Sequence, residues 1–198
     1  MKRLVVIPVV HDLADLGSLA ESVRARYLAE FGAAGWERRQ RAVESLWKTI
    51  RRAIDAMPLD FARVRIYQDG LPLCGKEELI VRELAGAGSL NHQLVLELMG
   101  RGAAIVGTED PHLLLREYQF QRRQAVAESD AGPPLAPSPA RAADEAAGLL
   151  EARDRFIAQR IEATLEEGET GLLFLGAAHR LGTMQSSGID VTTLDLRV

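Results

Sequence analysis

The stretch Gly171–Gly182, GLLFLGAAHRLG, decides the fold. Its apolar run Leu172–Leu175 is typical of a strand that is buried on both faces, as in a parallel sheet with helices on either side. Gly176–Ala178 are small residues at the point where the strand ends and a helix is predicted to begin. His179 follows them at the carboxyl end of the strand. Ligands of open α/β sheets bind at that edge. His179 is therefore the first candidate functional residue.

A second strand ends in the same way near the other end of the chain. Residues Leu4–Val10 are apolar, and His11 follows them directly. If the two strands lie side by side and point the same way, His11 and His179 meet at one edge of the sheet. This pairing of two distant histidines is the main functional prediction from the sequence.

Predicted strands and helices alternate along the rest of the chain, which is typical of an α/β fold with a mostly parallel central sheet flanked by helices. We expect a single domain over residues 1–198, with a Pro/Ala-rich exposed loop at about residues 129–140. The predicted strands are Leu4–Val10, Phe61–Tyr67, Ala103–Gly107, the run from Gly171, and Ile189–Leu196. The predicted helices are a weak one after Ser18, Trp36–Met57, Lys76–Leu84, one capped by Ser89, Pro111–Glu128, Arg141–Gly168 and a short one near His179.

The amino-acid composition argues against several classes of protein. The net charge of −4 gives no support for nucleic-acid binding, which usually requires a basic domain or stripe. Cys74 is the single cysteine, so no disulfide can form within the chain, and a reducing compartment is expected. No apolar run approaches the roughly 20 residues that span a bilayer. We therefore expect a cytoplasmic protein that binds neither nucleic acid nor membrane.

Four predicted strands are followed by a side chain that can bind a metal ion or move a proton, namely His11, Asp69, Glu109 and His179. Parallel strands would bring all four to one edge. Neutral imidazole and carboxylate are the ligands of a catalytic Zn²⁺ or Mn²⁺ site. We expect His11, Glu109 and His179 as metal ligands and Asp69 as a cofactor-binding residue. The same set can also act without metal, with a histidine as general base that Glu109 orients.

Arg153 is predicted to be buried. It lies four residues from both Leu149 and Ile157, on the apolar stripe of the long helix at Arg141–Gly168. An unpaired buried guanidinium is very costly, so Arg153 needs either a carboxylate partner or an anionic ligand. Its planar fork of donors suits both.

A purely structural role is also possible for each of these candidate residues. Asp69 precedes a glycine and suits a turn, and Glu109 suits the charge of a helix N-terminus. Arg153 can form a structural ion pair with Glu109 or Asp69 as readily as it can bind substrate. His92 and His112 fall on predicted helices among polar neighbours, and we expect both at the surface.

Several of these residues resemble the motifs of the TraB/Tiki superfamily, which includes erythromycin-esterase-like and ChaN-like proteins. Residues Gly176–His179, GAAH, resemble its second Gly-x-x-His motif, and the pair Arg153–Asp154 resembles its upstream Arg-Asn or Arg-Asp. Pro8–His11 takes the place of the first motif, with proline where the family has glycine. Glu109 resembles the acidic position of the family.

The resemblance implies an α/β core with His11, Glu109, Arg153 and His179 around one catalytic pocket. Tiki-like members are metal-dependent proteases, erythromycin esterases hydrolyse a lactone without a required metal, and ChaN-like members bind haem. We expect a hydrolase, metal-assisted by Zn²⁺ or Mn²⁺, that acts on a small-molecule or peptide-like substrate, with Arg153 binding a substrate carboxylate or oxyanion. The alternatives are a non-catalytic module that binds haem or a nucleotide-like ligand, and a degenerate family member in an assembly. A homo-oligomer is compatible with the sequence.

Overall fold

The computed structural model describes residues 1–10, 20–127, 138–180 and 188–196. Its centre is a five-stranded sheet in which every paired strand runs parallel to its neighbour. The strand order is β3-β2-β4-β1-β5. The strands are β1 (Lys2–Val9), β2 (Val64–Gln68), β3 (Ala104–Val106), β4 (Thr170–Gly176) and β5 (Ile189–Thr193).

Five helices connect and cover these strands among the described residues. They are α1 (Ala20–Asp55), α2 (Glu77–Gly86), α3 (Leu90–Gly100), α4 (Pro111–Ala127) and α5 (Pro139–Thr164). The alternation of parallel strands with helices confirms the predicted α/β architecture. No helix in the described ranges combines the length and the apolar character needed to cross a membrane.

Strand β4 lies in the middle of the sheet, between β2 and β1. Its apolar run Leu172–Leu175 is at most 5% exposed, as expected for a strand covered on both faces. Val9 pairs with Gly176, so the first strand and the strand of the GAAH segment are parallel neighbours, as predicted. The structure thus confirms the strand arrangement on which the histidine pairing depends. His11 itself lies outside the described residues.

Two apolar cores cover the two faces of the sheet because side chains alternate along each strand. Leu172 and Phe174 belong to the core that α1, α2 and α3 complete, where Phe174 stacks on Trp47 at 6.4 Å between ring centroids. Leu173 and Leu175 belong to the core that α5 completes. Helix α4 packs against α5.

Several element boundaries differ from the predictions. The segment Phe61–Arg63 is a 3₁₀ turn, because the Asp60 carboxylate caps it, and the strand begins only at Val64. Helix α5 begins at Pro139 with Ser138 as its cap, so it takes over the end of the predicted loop at 129–140, of which residues 129–137 are not described. Helix α5 ends at Thr164 rather than Gly168, and β5 ends at Thr193 rather than Leu196.

Helix α1 contains one interruption where the sequence predicted a weak segment. Gly32 has φ 67° and ψ 177°, a conformation that only glycine adopts without strain, and helical geometry resumes on both sides. The C-terminal half carries the predicted stripe that includes Val43, Trp47, Ile50 and Ile54, all of them buried. The N-terminal half is mostly exposed.

Candidate functional site

Three of the four predicted strand-end residues meet at the carboxyl edge of the sheet. Asp69 directly follows β2, Glu109 follows β3 after a short connection, and His179 follows the turn at the end of β4. One ligand atom from each lies within 4.8 Å of the other two. The fourth residue, His11, lies outside the described residues. The parallel pairing of the strands brings these residues together, although they are far apart in sequence.

The guanidinium of Arg153 lies in the middle of the carboxylates. Its Nη2 donates to Asp69 Oδ1 at 2.7 Å and to Glu109 Oε1 at 2.5 Å, and its Nε donates to Glu109 Oε2 at 2.7 Å. Its Nη1 donates to Glu117, a residue of α4. Every nitrogen of Arg153 therefore binds a carboxylate.

These contacts supply the carboxylate partners that the sequence offered as one alternative for Arg153. Its side chain is only 7% exposed, and three carboxylates bind it. Burial lowers the pKa of Arg153, but Glu109, Asp69 and Glu117 together raise it well above the ordinary value. Arg153 is consequently a permanent cation that organises three acidic side chains.

His179 is held from both sides by carboxylates. Its Nδ1 lies 2.5 Å from Asp154 Oδ1, and its Nε2 lies 3.3 Å from Asp69 Oδ1. The second oxygen of Asp154 accepts the backbone N–H of Arg180 at 2.9 Å, which fixes the chain on the far side of the histidine. Burial lowers the pKa of His179, but the hydrogen bonds and charges of Asp69 and Asp154 outweigh it and raise the pKa above its usual value.

Backbone N–H groups fix the carboxylates in turn. Asp69 Oδ2 accepts the N–H of Gly176 at 3.0 Å, and Glu109 Oε1 accepts the N–H of Gly70 at 2.9 Å. Gly70 adopts φ 79°, which favours glycine at that turn. Burial raises the pKa of Glu109, while Arg153 and the Gly70 N–H lower it in part. Glu109 is fully buried, so it is more than the exposed helix-terminal charge considered from the sequence.

The donor types and spacing in this cluster fit a divalent transition metal. Two ligands of a tetrahedral zinc ion, each about 2.0–2.1 Å from it, lie about 3.3–3.4 Å apart, which matches the 3.3 Å between His179 Nε2 and Asp69 Oδ1. Histidines that bind metals usually donate their other ring N–H to a carboxylate, and Asp154 is in that position. Arg153 binds Asp69 and Glu109 and therefore offsets part of the negative charge that would attract a metal ion.

A cavity of about 550 Å³ opens above the cluster. Asp69, Arg153 and His179 line its polar part, together with Glu117 and Gln121 from α4. Its apolar walls come from α2, α4 and α5 through Ile80, Leu84, Leu114 and Leu150. A volume of this order suits a small organic ligand.

Sequence reasoning missed three residues of this region. Asp154 orients His179, and Glu117 completes the carboxylates around Arg153. His92, which we expected at the surface, is 5% exposed and lines the cavity, so that expectation is wrong. The signal was weak in each case, because each residue lies on a helix away from the strand ends, and only the packing shows which side chains it contacts. For Asp154 one clue was its place beside Arg153. His112 is exposed, as expected.

Comparison with protein-family models gives no match for this chain, and neither curated proteins nor solved structures show a significant similarity to it.

Proposed function

We propose that this protein is a hydrolase of the TraB/Tiki-like type that acts on a small-molecule or peptide-like substrate at the carboxyl edge of its sheet. One observation carries the proposal: His179, held by Asp154 at Nδ1 and 3.3 Å from Asp69 at Nε2, clusters with Asp69 and Glu109 and lines a cavity large enough for a substrate. A histidine oriented by a carboxylate beside further acidic groups is an arrangement suited to activating water.

A Zn²⁺ or Mn²⁺ ion is the cofactor we propose for this site, with His179, Asp69 and Glu109 as its ligands and His11 as the further predicted ligand. When bound, the ion would lower the pKa of water and polarise a carbonyl group. Asp154 binds Nδ1 and leaves Nε2 towards Asp69. Among the described residues, the carboxylates of Asp69, Glu109, Glu117 and Asp154 outnumber the permanent charge of Arg153, an excess that favours a cation.

The same residues also support a route in which His179 itself is the general base. In that route Nε2 takes a proton from water, the oxygen of that water attacks an ester or amide carbon, and the proton passes to the leaving group. The Asp154 carboxylate stabilises the imidazolium that forms meanwhile. Metal dependence of the reaction separates the two routes.

Arg153 has a different role here from the one expected from the sequence. All its nitrogens bind Asp69, Glu109 or Glu117, so it has little capacity left for a substrate carboxylate. We propose that it is a positioning residue, which keeps two of the candidate ligands in place and stays out of the reaction.

The proposal is tested by measuring metal content and ester hydrolysis on the same preparations. Wild-type protein, His179→Ala and Glu109→Gln are each equilibrated with Mn²⁺ or Zn²⁺, passed through a desalting column, and analysed for bound metal and for hydrolysis of p-nitrophenyl acetate and a small ester and peptide panel. His112→Ala is the control, because that exposed histidine on α4 lies outside the cavity lining.

We expect hydrolysis by the wild type and by His112→Ala, and a loss of at least about a hundredfold in His179→Ala, in line with removal of a general base or metal-bound ligand. Stoichiometric metal that disappears in His179→Ala supports the metal-assisted form, and full activity in the presence of a chelator supports the general-base form. A wild-type protein that hydrolyses no member of the panel, with or without metal, contradicts the hydrolase proposal and favours a non-catalytic binding module.

A further inference from the structure

We propose that Glu117 occupies the position of a substrate carboxylate on Arg153. A carboxylate of the substrate displaces Glu117 from Nη1 of Arg153, to which Glu117 is bound in the structure. The substrate is then an ester or amide that carries a carboxylate a few atoms from the bond that is cleaved. This inference rests on the proposed function of the same cavity and gives that function a substrate class.

The three carboxylates on Arg153 differ in how deeply they are buried. The side chains of Glu109 and Asp69 are 0% and 7% exposed, whereas that of Glu117 is 28% exposed. Backbone N–H groups also hold the first two in place. The Glu117 carboxylate instead accepts a bond of 3.3 Å from Gln121, one turn further along α4. Glu117 is therefore the partner that can leave Arg153 at the lowest cost in free energy.

The position of Glu117 on α4 allows this movement. Neither of the two apolar cores includes a residue from the described part of α4. The residues at 111–124 are all at least partly exposed to solvent, and the helix packs mainly against α5. Glu117 can therefore turn towards solvent, or α4 can shift, while the sheet and its cores stay covered.

The ion pair between Glu117 and Arg153 lies at the cavity, since both residues line it together with His179. Arg153 Nη2 and His179 Nε2 contact the same oxygen, Asp69 Oδ1, at 2.7 and 3.3 Å. A ligand carboxylate on the guanidinium is therefore only a few atoms away from a carbonyl group beside His179. The apolar walls of the cavity suit a hydrocarbon body for the rest of the ligand.

The charges of the cluster favour exchange of carboxylates over addition of another one. Among the described residues, Asp69, Glu109, Glu117 and Asp154 already outnumber Arg153, so a further anion would be repelled. Replacement of Glu117 by a substrate carboxylate leaves the number of anions on Arg153 unchanged. The exchange thus gives Arg153 a capacity for substrate that it lacks while Glu117 is bound, and the guanidinium fork suits the new carboxylate as well as the old one.

The test compares ligands of one shape that differ in a single group. N-benzylsuccinamate carries the carboxylate, N-benzylsuccinamide has a neutral amide in its place, and N-benzyl-β-alaninamide has an ammonium group there. Dissociation constants are measured by calorimetry with a chelator present, so that no metal ion can bind the carboxylate. The variants are Glu117→Gln, which removes the competing charge, and Glu145→Gln. The latter is the matched control, because Glu145 of α5 binds Arg123 of α4 but lies outside the cavity lining.

We expect the wild type to bind N-benzylsuccinamate more tightly than the other two ligands. Glu117→Gln should raise the ratio of carboxylate to amide affinity by about tenfold, the size of one hydrogen bond to a charged group, because the competing carboxylate is gone. Glu145→Gln should keep the wild-type ratio. Wild-type binding of the amide or the ammonium ligand that equals or exceeds that of the carboxylate overturns the proposal. So does a ratio that Glu117→Gln fails to raise, or that Glu145→Gln raises equally.

A crystal structure of the wild-type complex with N-benzylsuccinamate tests the exchange directly. We expect the ligand carboxylate on Nη1 of Arg153 and Glu117 displaced from that atom. A ligand carboxylate bound elsewhere, or Glu117 still on Nη1, overturns the proposal. Because this experiment needs only the wild type, it also decides the matter should Glu117→Gln not fold.

Hydrolysis of benzyl hydrogen succinate, followed by the release of benzyl alcohol, separates this proposal from the hydrolase proposal. If the wild type binds N-benzylsuccinamate as expected but cleaves neither this ester nor any member of the ester and peptide panel, the hydrolase proposal fails and the exchange at Arg153 stands. If esters are cleaved but the carboxylate ligand has no advantage in binding, the exchange fails and the hydrolase proposal stands.

Discussion

At the scale of single residues, the neighbours Arg153 and Asp154 on α5 bind different parts of the site. Arg153 binds the carboxylates of Asp69, Glu109 and Glu117, while Asp154 binds His179 and the backbone that follows it. The side chains of consecutive helical residues point about 100° apart, which allows one to enter the acidic cluster and the other to reach the β4 end.

The Asp154–His179 contact predicts a pH-dependent stability difference. The pKa of His179 is raised above its unfolded value of 6.5, so the contact stabilises the fold fully below that value and loses this contribution as the pH rises through the folded pKa. Asp154→Asn should therefore lower the melting temperature more at pH 5.5 than at pH 9. In the same variant the His179 Cε1–H signal should titrate at a lower pH than in the wild type. A titration midpoint that is unchanged or higher would contradict this account of the raised pKa.

At the scale of whole elements, helix α1 has a kink that depends on a single residue. Gly32 divides it into an exposed N-terminal half and a C-terminal half that packs on the sheet. No heavy atom lies within 4 Å of a Cβ added at Gly32, so space does not demand glycine there. The backbone conformation requires glycine there, because φ 67° with ψ 177° is a region almost restricted to glycine.

Gly32→Ala is therefore expected to destabilise the protein by about 1–3 kcal/mol, or to straighten the helix at that point. Gly148→Ala is the matched control, since Gly148 lies exposed inside α5, has no positive φ and also has free space at its Cβ. There alanine should stabilise by about 0.5–1 kcal/mol through helix propensity. Thermal and urea unfolding measure both differences. If the two substitutions change the free energy of unfolding equally, the backbone conformation at Gly32 does not disfavour alanine.

At the scale of the molecule, Arg153 ties together elements that pack from different directions. It joins α5 to the residues after β2 and β3 and to α4, and those partners lie 36 to 84 positions away in sequence. Removing one partner of a buried charged network leaves uncompensated charges, which is more costly than replacing the whole network by apolar groups.

Arg153→Met should accordingly destabilise the protein by about 3–5 kcal/mol because three carboxylates lose their cation. Adding Glu109→Gln to that variant removes one of the stranded charges, so the double variant should be more stable than the sum of the two single effects predicts. Urea unfolding of the wild type, both single variants and the double variant gives the coupling free energy. Strict additivity would show that Arg153 and Glu109 act independently.

Predictions based on the residue pattern of a single segment are confirmed for β4 and for the inward position of Arg153. The apolar run Leu172–Leu175 is a strand buried on both faces, as predicted, because it lies between two helical layers. The inward position of Arg153 followed from its spacing to Leu149 and Ile157, and its pairing with Glu109 or Asp69 was one of two alternatives. The catalytic roles of His11, Glu109, Arg153 and His179 stay predictions.

The sequence by itself determined the parallel α/β class, the position of β4 and the meeting of Asp69, Glu109 and His179, since parallel strands bring their carboxyl ends to one edge whatever the helices do. Only the tertiary structure decided the partners of these residues. Asp154, Glu117 and His92 lie on helices, and which helical side chain faces a site depends on how each helix rotates and docks against the sheet. The apolar stripe of a helix indicates its inward face, as it did for Arg153, but the residues that each inward side chain contacts are fixed by packing between segments far apart in the chain.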